Sequence, residues 1–115
     1  MHLAAREAWT YLQHRYLSAE HLLVCCGKGN NGGDGLVIAR LAHANGWRVQ
    51  VVLADGVPQT PAAARAMTNC QSVGIQFLTL DEVDFSSVDV IVDALLGTGV
   101  SGELRPAYAL SLIHI

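Results

Sequence analysis

Little in this sequence is charged, and less is aromatic. Charged residues make up 15% of the 115 residues, aromatic residues 6%, and the net charge is −3. No block of lysine and arginine occurs, which excludes a nucleic-acid surface as the main business of the chain. No apolar run approaches the roughly 20 residues that a membrane-spanning helix needs. Residues 1–7 lack the charged-then-apolar pattern of a secretion signal. There are only three cysteines, Cys25, Cys26 and Cys70, and their spacing is not that of a metal site. They read as small, reduced core residues, which places the protein in the cytoplasm. His2, His14, His21, His43 and His114 show no ligand spacing and read as surface residues. Neither a repeat nor an internal linker is present.

What the chain does have is hydrophobic residues, at 51%, and eleven glycines. Five of those glycines fall between Gly27 and Gly35, together with Lys28, Asn30, Asn31 and Asp34. Just before them, Leu22 to Cys26 is a short apolar run of the kind that forms a strand buried on both faces. Just after them, Leu36, Val37, Ala39, Leu41 and Ala42 begin a helical apolar pattern. Strand, glycine loop and helix together present backbone N–H groups and a helix N-terminus to an anion. Glycine suits such a loop because it permits positive φ and lets a ligand approach the backbone.

The remaining elements follow in alternation. Residues 2–16 carry apolar positions at helical spacing. The helix after the glycine loop is expected to end near Asn45, with Gly46 as its C′ residue. Residues 47–54 form a second strand. Thr60 and Pro61 open a helix that ends at Gly74. Residues 75–79 are a third strand, 80–87 a loop, and 88–94 a fourth strand that is apolar except for Asp89 and Asp93. A second glycine loop, Gly97 to Gly102, follows, and Pro106 opens another helix. This alternation predicts an α/β fold, a parallel sheet with helices on both faces and strand order 3-2-1-4. Residues 111–115 read like a translated sequencing adapter. The chain is therefore expected to be the N-terminal part of a larger domain, with its fourth strand left as an unpaired edge.

In that order the first and fourth strands flank the point where the chain reverses direction, and ligands bind in the crevice there. Both glycine loops then line one site. Asp34 either binds a ligand hydroxyl or caps the helix. Asn30 and Asn31 are turn residues or contacts to a ligand or ion. Lys28 reads as solvated, because the Walker spacing is missing. Asp93 sits near the carboxyl end of an apolar strand, where an unpaired carboxylate is costly. It needs a cation or several N–H donors. Asp89, at the other end, reads as solvent-facing. Gly27, Gly29 and Gly32 also match G-x-G-x-x-G, and Asp55 closes the second strand, the arrangement of a dinucleotide-binding dehydrogenase.

Residues 24–41, with their Asn-Asn-Gly-Gly-Asp-Gly core, and residues 92–99 resemble the NAD(P)H-hydrate epimerase family, the YjeF N-terminal domain. The resemblance covers the chain to about Glu103, and residues 1–115 would be the N-terminal part of one such domain. It implies a Rossmann-like three-layer α/β/α sandwich and a homodimer when full length. The implied activity interconverts the R and S forms of hydrated NADH and NADPH, in a repair pathway shared with a dehydratase that sometimes lies on the same polypeptide. By motif, Asn30, Asn31, Gly32, Gly33 and Asp34 would contact the hydrated nucleotide. Gly97, Thr98, Gly99, Val100, Ser101, Gly102 and Glu103 would form the second contact loop. Asn31 and Asp93 would supply oxygens to a potassium ion, one per subunit. The catalytic base stays unassigned, and a later Asp-x-Pro-Ser-Gly motif of the family does not occur. An ordinary NAD-dependent dehydrogenase and a non-catalytic scaffold of the same fold are the alternatives.

Overall fold

Thr60 takes up the β-region backbone of an N-cap, and its Oγ1 accepts the Ala63 N–H at 3.1 Å. Pro61 then stands where a missing N–H costs nothing. These two residues start one of three helices in a computed structural model that describes residues 5–95 and 111–114. The elements run α1 (Ala5–Arg15), β1 (His21–Cys26), α2 (Asn30–Ala44), β2 (Arg48–Leu53), α3 (Pro61–Ser72), β3 (Gln76–Leu78), β4 (Val90–Ala94) and β5 (Ser111–His114). Two single-turn 3-10 helices, Leu80–Glu82 and Phe85–Ser87, lie between β3 and β4. Helices α2 and α3 are closed by Gly46 and Gly74, both with φ above +80°. A Cβ is disfavoured in that region.

The sheet is parallel throughout, in the order β3-β2-β1-β4-β5. The expected 3-2-1-4 order holds within it. The expectation that β4 is an edge is corrected, because Val90 to Asp93 pair in register with Ser111 to His114. Backbone pairing needs only N–H and C=O groups, so any short apolar segment can add to an open strand. The helix expected from Pro106 lies outside the described residues.

Strand alternation sorts the side chains onto two faces. Leu22, Val24, Cys26, Val49, Val51, Val90, Val92 and Ala94 are buried beneath α1, α2 and α3. Trp9 of α1 meets Trp47 edge to face, with centroids 5.3 Å apart. On the second face Leu23, Val52, Val88 and Ile91 pack with Cys25, Val83 and Phe85 from the β3–β4 crossover. Adjacent Cys25 and Cys26 thus join different cores and cannot pair with each other. All three cysteines are free thiols.

The amino end of the sheet departs from the sequence reading. His21 is buried, not at the surface. Its Nδ1 donates to the Ser87 carbonyl at 2.9 Å, and its Nε2 meets the Gln50 side-chain amide at 2.8 Å. Gln50 donates onward to Gln76 Oε1 at 2.7 Å. A polar ladder therefore crosses β1, β2 and β3, invisible to a reading that treats histidines one at a time. Asp89 is exposed, as expected, but its Oδ2 also accepts the N–H groups of Glu20 and His21, at 2.9 and 3.0 Å.

Candidate functional site at the carboxyl ends of β1 and β4

The sequence places the helix start after Gly35, but α2 begins inside the glycine motif. Gly29 is the N-cap, with extended backbone and no side-chain cap bond, and Asn30 is the first helical residue. Asn30, Asn31, Gly32 and Gly33 form the first turn. Asp34 therefore stands in the second turn, half-buried, where it cannot cap. That removes the capping alternative.

The positive-φ reason given for the motif is also corrected. Among the described residues, the glycines with positive φ are Gly46, Gly56 and Gly74, all outside it. The motif glycines instead permit close approach. A Cβ on Gly32 would fall on the Gly27 carbonyl oxygen. A Cβ on Gly35 would lie 2.7 Å from Ala94 Cβ and 3.0 Å from Val24 Cγ1, so α2 rests directly on β1 and β4. Gly27 in turn crowds the Leu95 carbonyl, and its N–H donates to the Ala94 carbonyl at 3.0 Å. The first turn of α2, the end of β1 and the end of β4 are stacked backbone on backbone. This brings the two strand ends expected to share a site into contact.

Asp93 pairs in register with Cys25, and it is half-buried. Its Oδ1 accepts the Leu95 N–H at 3.1 Å. One backbone donor is thus present, as the hydrogen-bonding alternative requires. The donor type also fits a potassium ion, which takes hard oxygens. Beside it, burial pushes the Cys25 thiol up to about 11, and the Asp93 carboxylate adds to the shift. Burial drives the Cys26 thiol higher still. Neither is a ready nucleophile. Lys28 is exposed, and its carbonyl accepts the Gln59 N–H at 2.8 Å, tying the β2–α3 loop to the glycine motif. Asp55 is exposed at the end of β2. The second contact loop, Gly97, Thr98, Gly99, Val100, Ser101, Gly102 and Glu103, lies outside the described residues. The same holds for the side chains of Asn30 and Asn31.

Sequence reasoning missed two contributors. Leu95 links Asp93 to Gly27 through its backbone, and a leucine between two motifs carries no signal of that. Glu82 is held by Thr79, whose N–H and Oγ1 donate to Glu82 Oε1 at 2.8 and 2.9 Å. Thr-x-x-Glu is a capping-box pattern that was there to be found.

Comparison with known proteins bears on this site. The family model described as YjeF-related protein N-terminus matches residues 1–115. A bifunctional NAD(P)H-hydrate repair enzyme Nnr of Coxiella burnetii is 47% identical over 91% of this chain and 22% of its own length. An NAD(P)H-hydrate epimerase of Rhodobacter capsulatus is 38% identical over 88% of this chain and 48% of its own. The crystal structure of yeast ynu0 superposes with a TM-score of 0.71 at 24% identity, over 90% of this chain and 48% of the yeast one, and so shares its fold. The chain thus spans between about a fifth and a half of the curated relatives it matches. It belongs to the family of YjeF-related protein N-termini.

Proposed function

We propose that the chain carries the nucleotide-binding part of an epimerase that interconverts the R and S forms of hydrated NADH and NADPH. The observation that carries this reading is the seating of Gly32 and Gly35 against the ends of β1 and β4. It leaves the first turn of α2 facing the crevice at the switch point, with backbone N–H groups suited to a pyrophosphate. Relatives named for this activity, 38% and 47% identical, support it. Asn30, Asn31, Gly32, Gly33 and Asp34 form one contact segment, and Gly97 through Glu103 the other. Inverting one centre of the hydrated ring requires a proton or hydroxyl to leave one face and return to the other. The chain's part is to hold the ring in one orientation and exclude bulk water while that happens.

A potassium ion held by Asn31 and Asp93 belongs to the same reading. It supplies charge neutralisation and fixes the two loops, rather than activating water as zinc does. A homodimer, a dehydratase acting on one epimer, either separate or on the same polypeptide, and a cytoplasmic setting complete the proposal. Three free thiols support that setting.

The direct test follows a purified single epimer of hydrated NADH by chromatography, with this domain in its full-length protein. Appearance of the other epimer is expected. Failure to form it, with the protein folded, rejects the reading. Asp34→Ala should lower nucleotide affinity by more than the roughly 1 kcal/mol that the loss of a helix cap costs in stability. Asp93→Asn should abolish any preference of stability or activity for potassium over sodium at equal ionic strength, which controls for screening. Identical responses to both salts in wild type would rule the ion out.

A further inference from the structure

The two sides of the sheet carry different cavities. The one on the second face, about 590 Å³, adjoins the proposed nucleotide crevice and has Leu95 in its wall. The one on the helical side is smaller, about 110 Å³, and lies where α1, α2 and α3 meet. Leu36, Val37 and Leu41 of α2 give it an apolar floor. Arg6 of α1, Arg40 of α2 and Asn69 of α3 bring polar side chains to it. We propose that this pocket binds a short aliphatic carboxylate, with the oxygens between the Arg6 and Arg40 guanidinium groups and the alkyl chain on the floor. The inference stands apart from the epimerase reading, because none of these residues belongs to either contact segment.

Charge selects the class of ligand. The chain has ten acidic residues against seven basic ones. Yet among the described residues no acid lines this pocket, while two arginines from different helices do. A guanidinium presents a planar fork of N–H donors that matches the two oxygens of a carboxylate. Asn69 carries a further N–H donor on the third helix. Inorganic phosphate could meet the same donors, but it has no carbon to place on Leu36, Val37 and Leu41. An alkyl chain gains by leaving water for that floor.

Size narrows the class. Liquid water takes up roughly 30 Å³ per molecule, so the pocket holds about four groups of that size, enough for propionate. A nucleotide does not fit. The walls are also fixed before any ligand arrives. The Cys70 thiol of α3 donates to the Leu36 carbonyl at 3.1 Å. A Cβ on Gly33 would stand only 3.2 Å from Ala63 Cβ, so α3 lies hard against α2. Burial pushes the Cys70 thiol up to about 11 and the Arg40 charge opposes that rise, which sets the guanidinium near the seam between the two helices. Little ordering is left for a ligand to impose.

The test is an NMR titration of the full-length protein with sodium propionate, at constant ionic strength, reading the Leu36, Val37 and Leu41 methyl groups and the arginine Nε–H signals. Propionate should shift the three methyls and the Arg6 and Arg40 signals together and saturate near about 1 mM, the scale for a ligand of a few atoms. Propionamide, equal in shape but uncharged, and inorganic phosphate should each bind about tenfold more weakly or worse. Arg40→Met and Arg6→Met keep most of the side-chain length and remove the charge, and each should weaken propionate about tenfold. Both positions are exposed, so the fold should survive, and the second variant serves should the first misfold. The proposal is overturned by propionamide or phosphate binding as tightly as propionate. It is equally overturned by wild-type affinity in a folded methionine variant, by shifts confined to residues 27–35, or by no saturable shift. In that last case the arginines only lay their stems on an apolar surface with their heads in water.

Discussion

The two ends of the sheet solve the same problem in opposite ways. At the amino end, polar side chains are joined to one another and to backbone: His21 to Ser87 and Gln50, Gln50 to Gln76, and Asp89 to the start of β1. At the carboxyl end, the backbone itself comes together, because Gly27, Gly32 and Gly35 have no side chain to hold it apart. A saturated hydrogen-bond ladder specifies one arrangement and offers a ligand nothing. A backbone packed through glycines brings the first turn of α2 against the ends of β1 and β4. The difference separates the end that holds the sheet from the end proposed to bind.

Gly32→Ala should break this contrast most severely. The new methyl group collides with backbone, which cannot swing aside as a side chain does, so the cost should reach about 3 kcal/mol or more. Nucleotide binding should be lost with it, and denaturant unfolding together with calorimetric titration would show both. An alanine variant that binds normally would show that the backbone stack is not what shapes the site.

At the opposite end, His21→Leu should separate stability from binding. It strands the Ser87 carbonyl and the Gln50 amide, at a cost of about 2 kcal/mol. Affinity for nucleotide should stay within twofold of wild type, roughly the scatter for sites this far apart. A matched loss of affinity would mean that the amino end does more than hold the sheet.

The smallest effect should appear at Cys25. With its thiol raised to about 11, iodoacetamide should label it slowly at pH 8, faster as pH climbs. Asp93→Asn removes the lesser cause of that shift and leaves burial, so labelling at pH 8 should quicken only modestly. Mass spectrometry of the tryptic peptide would measure it. No change would place the Asp93 charge away from the thiol.

The fold was legible wherever one local signal dominated. The apolar run of β1, the Thr60-Pro61 start of α3, and Gly46 and Gly74 at the helix ends each declare themselves within a few residues. The start of α2 did not. Glycine has poor helix propensity, so a stretch with five glycines in nine residues reads as a loop. Only the ends of β1 and β4, distant in sequence, make that first turn worth forming. The same blindness hid the His21 ladder, whose partners lie 29 and 66 residues away. Of the site, Asp93 was singled out by its neighbours along one strand. Leu95 was not, because its role is played by backbone atoms that every residue possesses.

Leu95 has a consequence of its own. Its N–H is held by Asp93, its carbonyl sits against Gly27, and it forms one wall of the cavity beside them. One residue is thus a shared boundary of two compartments, and neither can change shape without moving it. Thermodynamic reciprocity then applies: whatever factor an occupant of the cavity contributes to affinity at the glycine motif, an occupant of the motif returns to the cavity. Any coupling that Leu95 carries between the two compartments is therefore equal in both directions.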